Sequence, residues 1–90
     1  MKKAFSLTIH GKVQGVFYRE NAVKKAQELC ICGFVKNVED STVLCIIEGD
    51  ELILKEFVAW CYEGSKSAKV EKIDINEIEN QDFSNFSISY

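Results

Sequence analysis

No apolar run in this chain approaches the roughly 20 residues needed to cross a bilayer, and its N-terminus lacks the long apolar core and small-residue cleavage site of a secretory signal. A cytoplasmic protein without membrane association is the expectation. Excess positive charge is missing too. The formal net charge is −3, and apart from Lys2-Lys3 and Lys24-Lys25 the lysines are scattered. A nucleic acid would find no extended field to hold it, although a local positive pocket stays possible. Histidine occurs once, at His10, with no neighbouring Ser or Cys to form a nucleophile and base pair, so it reads as a strand-end residue. Tight acidic clusters suited to a divalent ion are also lacking. Of the cysteines, only Cys30 and Cys32 are close, and no second pair accompanies them at metal-ligand spacing. No metal is expected. Cys30, Cys32, Cys45 and Cys61 all lie in apolar runs and read as reduced, buried, small hydrophobes.

What the chain does contain is ordinary for a globular protein: 47% apolar and 28% charged residues over a length of 90. That length suits one domain, residues 1–90, with one modest core. A monomer is expected.

Periodicity supplies the elements. Ala4 to His10 alternates, with Phe5, Leu7 and Ile9 on one face, and reads as a first strand. Arg19 to Cys30 carries Ala22, Ala26 and Leu29 at helical spacing, with Gly33 placed to end the connection. Phe34 to Val38 and Thr42 to Glu48 read as a hairpin around Glu39-Asp40-Ser41, the second of these strands being central because of its continuous apolar run. Asp50 caps a second helix, whose stripe is Ile53, Phe57, Trp60 and Cys61. Gly64-Ser65-Lys66-Ser67 reads as a flexible loop. Lys69 to Ile78 reads as a fourth strand whose broken alternation implies either a bulge or a late start, and Asn85 to Tyr90 as an edge strand. The order β-α-β-β-α-β predicts an α+β, ferredoxin-like sandwich: two helices on one face of a mainly antiparallel sheet, with an added C-terminal edge strand.

Function concentrates in Gly11-Lys12-Val13-Gln14-Gly15-Val16-Phe17-Tyr18-Arg19, a strand-to-helix loop with two glycines. Glycine permits positive φ, and a helix N-terminus offers unpaired N–H groups with partial positive charge, so the loop suits an anion. Arg19 is the one arginine beside ten lysines, which points to two-pronged binding of phosphate or carboxylate; an ordinary surface arginine fits the composition equally well. The loop lacks the Lys-Ser/Thr of a nucleotide-binding P-loop. Asn37, at the far end of the second strand, is brought near the loop by the topology and could orient a water, or could simply flank the turn.

The nine-residue loop resembles the G-x-V-Q-G-V-x-F-R signature of the acylphosphatases, with Tyr18 at the usual Phe position, and Gly33-Phe34-Val35-Lys36-Asn37 resembles their second signature, G-W-V-R-N. The similarity extends through Val43, Glu48-Gly49, Phe57 to Cys61, Ala68 to Val70 and Phe86 to Tyr90. It implies hydrolysis of the carboxyl–phosphate bond of a small acyl phosphate without metal or organic cofactor. It further implies that Arg19 and the backbone amides of Gly15, Val16, Phe17, Tyr18 and Arg19 hold the phosphate while Asn37 positions the attacking water. Departures from the family pattern are Phe34 and Lys36 beside Asn37, Ser41 where the hairpin commonly has Gly, and a proline-free loop after the second helix that Ser65 and Ser67 should loosen. Two other classes stand against the enzyme. An RNA-binding domain of the same order needs aromatic residues on its central strands, and Thr42 to Glu48 has none. A binding domain for carbamoyl or acetyl phosphate with slow turnover would need the same loop.

Overall fold

Five strands and two helices make up the computed structural model, which describes residues 1–90: β1 (Lys2–Lys12), α1 (Tyr18–Glu28), β2 (Cys32–Asn37), β3 (Val43–Asp50), α2 (Glu51–Glu63), β4 (Lys69–Ile78) and β5 (Phe86–Ile88). The sheet runs β4-β1-β3-β2-β5, with both helices on one face. Three neighbouring pairs are antiparallel and β2–β5 is parallel, so the sheet is mixed. β5 is shorter than the alternation predicts, because only Phe86 to Ile88 pair with β2.

Strand alternation decides what meets the helices. Leu7 and Ile9 of β1, Val35 of β2, and Val43, Cys45 and Ile47 of β3 are fully buried beneath them. α1 contributes Ala22 and Ala26, whose small side chains let the helix lie close to the sheet; α2 contributes Leu54, Phe57 and Cys61. Leu54 takes the deep position that the sequence assigns to Ile53, and Ile53 and Trp60 pack at the margin of the core. Of the two explanations for the broken alternation in β4, a bulge and a late start, the bulge is the one present: the register against β1 steps from His10–Lys72 to Gly11–Val70, leaving Glu71 unpaired. This restores Val70 and Ile73, three residues apart, to compatible positions.

The end of α1 near Cys30 is as expected, whereas the role of Gly33 in the connection and the burial of all four thiols need correction. That helix closes at Cys30, which takes φ 57° and donates its N–H to Gln27 while Ile31 donates to Ala26, a left-handed cap at a position usually given to glycine. Holding that cap places Cys30 in solvent, and Cys32 is half-buried, so only Cys45 and Cys61 are the buried thiols expected. Burial raises the pKa of both, Cys61 to about 12. Gly33 instead lies inside β2 with φ 137°, where a Cβ would fall 1.9 Å from the Ile46 carbonyl oxygen. No other residue fits there.

The segment between β4 and β5 is fastened by one buried carboxylate. Glu48 accepts from the backbone N–H groups of Gln81, Asp82 and Phe83 and pairs with Lys2 at 3.5 Å. Phe83 then packs edge-on against Phe34, with ring centroids 6.0 Å apart. Burial alone would raise the Glu48 pKa, but the three N–H donors and Lys2 outweigh it and hold the group below its ordinary 4.5. A depressed native pKa stabilises above the unfolded value, and that contribution is lost as pH falls through the native one. Glu48→Gln is therefore expected to cost about 1–3 kcal/mol at pH 7 in urea unfolding. It should also flatten the decline in wild-type stability below pH 4.5. An unchanged acid limb would show that Glu48 does not supply it.

Candidate active site

The path from β1 into α1 is held down by Val13 and Val16, both buried, between which Gly15 is exposed. Gly15 and Phe17 take positive φ, 72° and 62°. Left-handed residues in such close succession curl a chain so that its N–H groups converge. Glycine accepts this freely, whereas Phe17 accepts it at about 1 kcal/mol or more. Phe17 is also the N-cap of α1, yet no side chain caps that helix, and the N–H groups of its first turn have no intrahelical acceptor.

Arg19 stands in that first turn and enters none of the ion pairs of the fold. Its guanidinium lies over the Tyr90 ring, 5.3 Å from the centroid. Asn37 approaches from the sheet. It ends β2 and, two residues on from Val35, lies on the helix-facing side. Its Oδ1 is buried without a hydrogen-bond partner. An orphan of this kind costs about 1–3 kcal/mol.

These groups meet. Val13, Gly15, Phe17, Tyr18, Arg19, Glu20 and Asn37 line one cavity of about 280 Å³. Of the sequence-predicted site residues only Val16 is outside it, buried beneath the loop with its carbonyl accepting from Ser65 Oγ at 2.6 Å. A larger groove, about 650 Å³ between the N-terminus and Glu77 to Asn80, offers less chemistry, because Lys2 and Lys3 are already paired with acidic side chains. No three His, Cys, Asp or Glu side chains converge to hold a metal, and His10 pairs with Asp74 across the sheet at 2.8 Å.

Three ties fix the loop, and sequence reasoning missed each of them. Gln14 Nε2 donates to the carbonyls of Val38 at 2.8 Å and Thr42 at 2.9 Å, joining the loop to the hairpin that follows Asn37. The Tyr18 hydroxyl donates to the Cys61 carbonyl at 2.7 Å, satisfying a carbonyl in the last turn of α2; burial raises its pKa. Ser65 supplies the third tie. The loop after α2 is thus not loosened by Ser65, which is buried and bonded. Gln14 and Tyr18 stood inside the motif, so a signal existed for them; Ser65 had none. The hairpin turn itself shows the expected strain, with Ser41 at φ 74°, and Asp40 supports it by accepting from Thr42 N and Oγ1.

Fold and cavity together define a class: a small α+β sandwich whose polar cavity opens at the start of its first helix. The family profile described as Acylphosphatase matches residues 5–88. An acylphosphatase from a Nocardioides species is 36% identical over 88 residues, 98% of this chain and 89% of the relative. Among solved structures, an acylphosphatase from Bacillus subtilis superposes with TM-score 0.95 at 33% identity over the full length of both chains. One from Coxiella burnetii does so with TM-score 0.94 at 35% identity, covering 98% of this chain and 93% of that one. The chain belongs to the acylphosphatase family, and it is an enzyme of that kind.

Gln14 tests how the cavity is held. Gln14→Ala removes two hydrogen bonds from partly buried carbonyls and frees the Asn37 end of the hairpin from the loop. The expected result is about 1–2 kcal/mol lost in urea unfolding and a fall in kcat of roughly 10-fold on an acyl phosphate. Unaltered kcat would show that the tie does not set the distance across the site.

Proposed function

We propose that the protein hydrolyses the carboxyl–phosphate bond of a small acyl phosphate, giving a carboxylate and inorganic phosphate, without metal or organic cofactor. The observation that carries this reading is an unpaired acceptor, Asn37 Oδ1, in the same cavity as an unpaired guanidinium, Arg19. An acceptor orients a water by taking one of its hydrogens, which leaves a water lone pair free for phosphorus.

The phosphoryl group lies against the backbone amides of Gly15 to Arg19, where the helix dipole favours negative charge, and Arg19 grips it two-pronged. Water held by Asn37 attacks phosphorus. A bond forms between the water oxygen and phosphorus as the bond from phosphorus to the carboxylate oxygen breaks, and a water proton passes to a phosphoryl oxygen. The leaving carboxylate departs with the bonding pair and needs no acid. Because an acyl phosphate is an activated anhydride, positioning and charge stabilisation are sufficient equipment. Residues 1–90 act as one domain and as a monomer. Four free thiols suit a reducing cytoplasm, and the net charge of −3 gives nucleic acid no hold.

Hydrolysis of acetyl or benzoyl phosphate tests the assignment. Arg19→Lys is expected to raise KM and lose most activity, since one ammonium replaces the fork. Asn37→Ala is expected to lower kcat by about 100-fold or more with a smaller effect on KM. Wild-type rates in both variants would overturn the roles given to these residues.

A further inference from the structure

Phe17 is exposed to 72% although it is among the largest apolar side chains of the protein. Although Phe17 is the N-cap residue of α1, its side chain makes no capping bond and does not pack into the core, and its backbone is held in the left-handed region at φ 62°. The Phe17 carbonyl accepts from Asn21 N at 3.2 Å and from Asn21 Nδ2 at 2.8 Å, so the main chain is fixed while the ring projects from the loop. A polar N-cap residue would spare the strain, satisfy a helix N–H and expose no aromatic surface. The ring therefore lacks a role in folding, and it stands on the wall of the cavity that holds Arg19 and Asn37.

A substrate whose phosphoryl group occupies the loop must direct its acyl group out through the mouth, where Phe17 and Glu20 are exposed wall residues. Glu20 gives a carboxylated acyl group no counter-ion. Phe17 gives an aromatic one a face to stack on. Building on the acyl phosphate reading above, we propose that Phe17 is the specificity residue of the acyl side, its ring packing on the acyl group so that an uncharged aromatic acyl phosphate is preferred over acetyl phosphate.

The experiment compares kcat/KM on benzoyl phosphate with kcat/KM on acetyl phosphate in wild type, Phe17→Ala, Phe17→Asn and Phe17→Tyr. Asn tolerates the left-handed backbone, so it removes the ring without adding strain to the loop. The benzoyl-to-acetyl ratio is expected to fall about 10-fold in the Ala and Asn variants, carried by KM on benzoyl phosphate, and to return in Phe17→Tyr. A ratio unchanged in Ala and Asn, with both substrates still hydrolysed, overturns the inference and leaves the functional reading standing. A ratio that falls in Ala but not in Asn overturns it as well, since loop distortion is then the cause. Wild-type protein that hydrolyses neither substrate overturns the functional reading and this inference with it.

Discussion

The first turn of α1 has backbone N–H groups with no acceptor, and the surrounding structure keeps them so. In most helices a Ser, Thr, Asp or Asn at the N-cap would close one of these donors. Here the N-cap is Phe17, which has no acceptor to offer and sits in a left-handed conformation that carries the chain past the donors. Exposed donors cost little while water reaches them. An anion held there, as proposed above, would exchange that water for fixed amides at the positive end of a helix.

A second site in the same fold shows what such a backbone does with an anion. Gln81, Asp82 and Phe83 direct their N–H groups at Glu48, and Asp82 takes φ 58°, so this segment too is curled by a left-handed residue. Glu48 fills it, and the three N–H donors with Lys2 hold its pKa below the ordinary value despite burial. Glu48 lies near one end of β3, while Val43, paired with Asn37, lies at the other. One end of the sheet thus carries a closed anion site made from the protein's own carboxylate. The other carries a cavity open to solvent, beside an arginine without an ion-pair partner.

Precision in the open site comes from hydrogen bonds distant in sequence. Gln14 reaches the β2–β3 hairpin, Tyr18 reaches the last turn of α2, and Ser65 reaches back to Val16. Together they bind the loop to both of the elements it must face. Elements with strong periodicity were legible: β1 from Phe5, Leu7 and Ile9, the stripe of α1 from Ala22 and Ala26, an irregularity in β4 from its broken alternation. The end of α1 near Cys30 was legible too, but not that Cys30 adopts the left-handed cap, nor that Gly33 lies inside β2 to answer a close approach by the Ile46 carbonyl. Ser65 was misread because a serine after a helix looks the same whether it faces water or a buried carbonyl.

By itself, the sequence determined the element order, the family, and the residues of the loop and of the β2 end, because periodicity and the two glycine-containing signatures are local properties of the chain. Only the tertiary structure decided that Asn37 Oδ1 stays unpaired in the cavity of Arg19, that Ser65 braces the loop, and that Phe17 stands free at the mouth. The reason is physical. Whether a polar atom is satisfied, or an aromatic ring buried, depends on which distant segments the sheet order brings beside it, and no local pattern encodes that.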